Sequence, residues 1–192
     1  MKPSRRQFTQ GTLSALLAVA SWGGVAAAVA QTKSRSVFTE IIWEDLMPEK
    51  WLGEVKTQMA EIGRLGFLVD GSEAANKAMQ DLREKWDKAP IEGKWIDQPV
   101  KIAGYVVTLD ANKKSISEFL LVPYFGACIH LPPPPANQII LVKIDKPVSK
   151  LVSMDTVWVE GSLRDARVDT GIAVTGYLLE ARRVYPYVEK KK

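Results

Sequence analysis

Val100 to Val122 reads V-K-I-A-G-Y-V-V-T-L-D-A-N-K-K-S-I-S-E-F-L-L-V, two runs rich in β-branched and aromatic residues on either side of the polar turn Asp110-Ala111-Asn112-Lys113-Lys114. Such runs suit a pleated, half-buried surface, and the turn between them makes Val100–Leu109 and Ile116–Val122 a hairpin. Further along, Gln138–Ile144, Thr156–Leu163 and Gly176–Val184 repeat the pattern, with Asp165–Gly171 as a polar connection between the last two. Pro147–Met154 places Val148, Leu151 and Val152 at helical spacing, a short helix at most. Five strands with a short helix between the third and fourth is the order of an OB-type barrel, whose strand face and loops bind ligands. The fold class expected is therefore α+β, mainly β: a five-stranded antiparallel OB-like barrel over residues 100–185, preceded by N-terminal helices. Val106, Leu120, Ile140, Val157 and Leu179 are the expected core positions.

Upstream, the fold is expected to begin near Val37. Ile41, Ile42, Trp43, Leu46 and Trp51 supply apolar mass around Pro48, read as an extended segment and turn. Gly53–Leu65 is expected to form a short helix that Gly66 ends. Ser72–Ala89 carries the clearest helical signal: Ser72 suits an N-cap, Glu73 the first turn, Lys85 and Lys88 the last, and Pro90 stops it. Ala75, Met79, Leu82 and Trp86 recur at three and four residues, one apolar stripe for packing on the barrel. Residues 37–90 form the N-terminal helical part of a single domain spanning 31–192.

Between the second and third strands lies L-V-P-Y-F-G-A-C-I-H-L-P-P-P-P-A-N-Q, Leu121 to Gln138, which holds the only cysteine, Cys128, the only histidine, His130, and the proline run Pro132 to Pro135. Prolines fix φ and donate no hydrogen bond, so Pro132, Pro133, Pro134 and Pro135 form a stiff polyproline II segment. Asn137 and Gln138 carry amides able to donate to its carbonyls, and Gly126 permits a tight turn. If Cys128 to His130 is extended, the period of two puts thiol and imidazole on one face.

This stretch resembles the hallmark Y-F-G-A-C-I-H-x-P-P-P-P-x-N-Q of a bacterial family of exported proteins catalogued as a domain of unknown function. I-I-W-E-D-L-M-P at Ile41–Pro48, G-Y-V-V at Gly104–Val107 and V-W-V-E-G-S-L at Val157–Leu163 are similar to the same family, so the resemblance covers roughly Ile41 to Tyr187. It implies export and names no reaction. Family members often resemble lipoproteins, whereas here no cysteine lies near Ala30.

Residues 1–30 read as a twin-arginine signal peptide: Ser4-Arg5-Arg6-Gln7-Phe8, a Gly- and Ala-rich core from Gly11 to Ala27, and the cleavage signature Ala28-Val29-Ala30. Its core is shorter than the roughly 20 apolar residues a spanning helix needs. A periplasmic protein starting at Gln31, with no stable membrane span after cleavage, is expected. The formal charge of +4 includes Lys2, Arg5 and Arg6, so the exported chain carries 23 basic and 22 acidic side chains. That balance gives no basic face for nucleic acid. One cysteine makes no internal disulfide, so in an oxidising compartment Cys128 is buried, metal-bound or reactive by design.

Three readings compete for the central stretch. In one, Cys128 and His130 bind a thiophilic metal, zinc or copper, or a small ligand, beside Tyr124, Phe125, Gly126, the prolines, Asn137 and Gln138. Two ligands are too few for a closed zinc site, so carboxylates, a methionine, water or a partner must complete it, Glu118 being one carboxylate within the same region. In another, Cys128 is a nucleophile and His130 its base, an unusual arrangement two residues apart on one strand and without a third orienting group. In the third, Cys128 fills core space, and the loop Leu131–Ala136 is a prebuilt ridge for a protein partner of the envelope or of a transport complex. No phosphate-binding glycine loop, nucleophile elbow or paired Cys-x-x-Cys occurs in the chain. The chain is read as a binding protein sooner than as an enzyme.

Overall fold

The structure, a computed structural model, describes residues 37–55, 57, 72–110, 112–124 and 134–188. The signal peptide, Gly66, most of the Gly53–Leu65 helix, and Phe125 to Pro133 with Cys128 and His130 lie outside these residues. A two-residue strand, β1 (Thr39–Glu40), precedes β2 (Pro99–Thr108), β3 (Ser115–Val122), β4 (Ile140–Ser149), β5 (Thr156–Asp169) and β6 (Val174–Pro186). The last five close into a barrel in the order β2-β3-β4-β6-β5, with β5 pairing back onto β2 and β1 added beside β2. This is the OB-like order expected.

Three expectations need correcting. The barrel is mixed, because β4 pairs parallel to β6, as β1 does to β2, while the other barrel pairs are antiparallel. The reason is parity: an odd number of strands cannot alternate in direction around a closed ring, so one adjoining pair must run parallel. Second, Pro147–Met154 forms no helix. Val148 pairs with Ile116 as part of β4, and Lys150 and Met154 turn the chain with φ of 65° and 76°, values no right-handed helix admits. Asp165–Gly171 is likewise mostly strand, since Val168 and Asp169 pair with Thr175 and Val174 in a hairpin extending past the barrel. At Gly161 a Cβ would come within 2.3 Å of the Glu180 carbonyl, at a register shift that bends β5.

Alternation along the strands builds the core. Val106, Leu120, Ile140, Val157 and Leu179 are all buried. Ile102, Val106, Phe119, Leu121, Ile140, Val142, Val159 and Leu179 belong to the interior cluster, while Val107, Leu120, Val122, Ile139 and Leu141 form a second cluster from the opposite face. Phe119 to Val122 is therefore buried on both faces, which is why it reads as an unbroken apolar run.

One helix, α1 (Glu73–Asp87), matches the Ser72–Ala89 expectation, and residues 49–55 are also helical. Trp43–Leu46 is a single 3-10 turn held by the Asp45 carboxylate, which accepts from Ile42 N at 3.0 Å. Leu82 and Trp86 bury the α1 stripe with Trp51, Ala89 and Ala136, whereas Met79 is exposed. The helix end is satisfied by β5: Arg167 donates to the carbonyls of Asp87 and Ala89, which serve as otherwise unpaired C-terminal acceptors.

Candidate functional site

After the proline run the chain makes one 3-10 turn, Ala136–Gln138, entered from Pro135 at φ −56°, ψ 149°. Those angles are polyproline II, as a proline before a turn dictates. The turn closes through Gln138 N to Pro135 O at 2.7 Å and Ile139 N to Ala136 O at 3.2 Å. It lies directly on β6. Gly176 donates to Ile139 O at 3.3 Å, and a Cβ on Gly176 would meet the Ala136 carbonyl oxygen at 2.7 Å, so only glycine lets the two backbones approach this closely.

The two amides of the motif lock this turn to the N-terminal segments. Asn137 is fully buried and donates to Pro90 O at 2.7 Å; Gln138 donates to Trp43 O at 2.8 Å and to Asn137 O at 3.1 Å. Both amides thus reach distant carbonyls of the N-terminal segments. Trp43 is itself pinned by its indole N–H, which donates to Ala103 O on β2 at 2.7 Å.

Tyr177, next to Gly176, completes the arrangement from inside the barrel. Its hydroxyl donates to Leu46 O at 2.8 Å and accepts from Glu92 N at 2.6 Å, and the residue is fully buried. Burial pushes its phenol well above the ordinary tyrosine value, partly offset by the Glu92 backbone hydrogen bond. The hydroxyl thus clamps two backbone groups in its neutral form. No sequence pattern marks Tyr177 as functional; a tyrosine inside a strand reads as packing.

One polar atom of the motif is left over. Pro90 O can only accept, which fixes the orientation of the Asn137 amide and leaves Asn137 Oδ1 as a buried acceptor with no donor among the described residues. Trp51 Nε1, in the apolar cluster that includes Ala136, is a buried donor likewise without an acceptor among them. Buried orphans are few in native proteins, and each calls for an explanation.

The remaining expected site residues divide as follows. Pro134 and Pro135 are buried, Tyr124 is 44% exposed, and Phe125, Gly126, Cys128, His130, Pro132 and Pro133 lie outside the described residues. Glu118 is ion-paired with Lys143 at 3.1 Å. Among the described residues, no three Asp, Glu, His or Cys side chains gather as a metal site would require. Away from the motif, Lys101 pairs with Glu40 at 3.0 Å and lies 3.8 Å over the Trp158 ring; the Glu40 hydrogen bond raises its pKa. The nearly buried Glu160 accepts from Tyr185 at 2.8 Å. Charges alternate across this outer face, Glu40-Lys101-Glu160-Arg183 in register, instead of forming a stripe of one sign.

The family model described as "Protein of unknown function (DUF3299)" matches residues 43–186. The crystal structure of a DUF3299 family protein from Pseudomonas aeruginosa PAO1 is similar at 28% identity and a TM-score of 0.59, covering 81% of this chain and 99% of that one. A candidate aspartyl-tRNA synthetase from Leishmania major Friedlin, at 12% identity and a TM-score of 0.34 over 86% of this chain and 24% of that one, is too slight a likeness to carry an argument. No curated protein matches the chain.

Proposed function

The chain belongs to the DUF3299 family, and from that premise we infer that it is an exported, periplasmic binding protein whose Cys128 and His130 hold a thiophilic metal, zinc or copper, or a small polar ligand. The observation that carries this reading is the buried, oriented carbonyl of Asn137, without a donor among the described residues, in the same motif as the two side chains best suited to ligation. A binding constellation needs a rigid support. The Pro134–Gln138 turn supplies one, held by Pro90, Trp43 and Gly176 from three separate parts of the chain. Asn137 Oδ1 would accept from a ligand donor or from a water bound to the metal, and Cys128 with His130 would supply thiolate and imidazole.

The alternative, a docking ridge over Leu131–Ala136 with Cys128 merely structural, has less support. Pro134, Pro135 and Ala136 are buried, which leaves them little surface to offer an envelope partner. Pull-down with Pro133 and Pro134 changed to alanine separates the two: a ridge loses partners, a ligand site does not.

The direct test titrates zinc and copper into the exported chain while following thermal stability between pH 5 and 8. Thiolate and neutral imidazole are the binding forms, so affinity is expected to fall as pH drops through about 6.5. Cys128→Ser and His130→Ala abolish the shift, and Asn137→Ala, which removes the acceptor, weakens it. Equal shifts for all four proteins, or none for the wild type, would overturn the reading.

A further inference from the structure

A turn replaces the expected helix between the third and fourth barrel strands. A cavity of about 320 Å³ lies there, lined by the end of β4 with Lys150 and Leu151, by Asp155 to Val157 entering β5, and by Val184 to Pro186 ending β6. Its floor is the core itself: Leu151 and Val157 are buried members of the interior cluster, and Val148 and Val184 pack against it. The size falls at the lower end of the roughly 300–1,000 Å³ typical of small-molecule sites.

Its rim is polar and asymmetric. Lys150 is the one cation among the lining residues and makes no salt bridge among the described residues, whereas the Asp155 carboxylate is already engaged by Val152 N at 2.9 Å. Ser149 and Thr156 add hydroxyls. The same loop holds Val152 at 58% exposed, and the two residues after β6, Tyr187 and Val188, are 42% and 76% exposed. Apolar floor, single free cation and apolar surroundings together describe one kind of guest.

We propose that this barrel end binds a single-chain amphiphile with a carboxylate head: the alkyl chain enters between Leu151, Val157 and Val184, and Lys150 pairs with the carboxylate. The proposal does not rest on the Cys128/His130 reading. Lys150 carries a second clue. Its φ of 65° is strained for a residue with a Cβ, yet a lysine stands where glycine would fit better.

The test uses sodium dodecanoate below its micelle concentration, titrated calorimetrically into the exported chain, with dodecyl maltoside and dodecyltrimethylammonium as neutral and cationic comparisons. Wild type is expected to bind dodecanoate saturably, one per chain, and more tightly than the cationic probe. Lys150→Gly relieves the strain and removes the charge, so its Tm rises while dodecanoate affinity falls about tenfold and maltoside affinity holds. A merely structural lysine would not separate those readouts. Ser149→Trp, which adds bulk at an exposed lining position, blocks both neutral and anionic probes while urea stability confirms the fold. Absence of saturable binding, equal affinity for the cationic probe, or unchanged dodecanoate binding in Lys150→Gly would overturn the proposal.

Discussion

Replacing Tyr177 by phenylalanine removes one oxygen and keeps the ring that packs in the barrel core. That oxygen donates to Leu46 O at 2.8 Å and accepts from Glu92 N at 2.6 Å, so the substitution leaves an acceptor and a donor without partners in a site water does not reach easily. Each unsatisfied buried group costs about 1–3 kcal/mol, less the desolvation of the hydroxyl itself, which gives a net loss of about 2–4 kcal/mol. For a domain of this size 3 kcal/mol corresponds to a fall in Tm of about 6–12 °C. Urea unfolding is the assay, with the slope expected to be unchanged because the buried area is the same. Tyr185→Phe is the control: its hydroxyl bonds Glu160 nearer the surface and should matter less. The pH dependence adds a second readout. The folded phenol is raised above the unfolded value of about 10, so the stability it contributes is complete below pH 10 and declines as pH rises further. The gap between wild type and Tyr177→Phe should therefore narrow above pH 10. A loss under about 0.5 kcal/mol, or a gap that widens at high pH, would refute the clamp.

Gly176→Ala puts a Cβ 2.7 Å from the Ala136 carbonyl oxygen, backbone against backbone, and should cost about 1–3 kcal/mol in urea unfolding while loosening the motif turn. Lys150→Gly should gain about 0.5–1 kcal/mol in the same assay, because glycine meets the φ of 65° without the Cβ penalty. Replacing Arg5 and Arg6 by lysine should trap the precursor in the cytoplasm, seen by fractionation; unimpaired export would remove the twin-arginine reading.

The strands were legible because burial on the barrel requires apolar residues at alternate positions, and Val106, Leu120 and Leu179 carry that signal locally. Strand length was less so. Arg164 to Asp169 continues β5 past its pairing with β2, half-buried and exposed residues in alternation, and a ribbon so rich in charge has the composition of a loop. The helical spacing of Val148, Leu151 and Val152 misled because Val148 belongs to a strand and Leu151 to the core below it, two different environments three residues apart. The parallel pairing of β4 and β6 follows from ring closure, which no local pattern encodes. At the site, the motif residues were conspicuous, yet the role of Asn137 and Gln138 was not: their partners Pro90 and Trp43 lie 47 and 95 residues away. Tyr177 is 131 residues from Leu46, and only the fold brings that hydroxyl to that carbonyl.

Metal content of the protein purified from cells without added metal or chelator bears most directly on the proposal that Cys128 and His130 form a ligand site on a rigid support. The account predicts one equivalent of zinc or copper, or a tightly held small molecule, in wild type and its loss in Cys128→Ser. Wild-type protein that carries neither, with Cys128 inert to a thiol reagent until the chain is unfolded, would contradict it and leave the cysteine a buried part of the core.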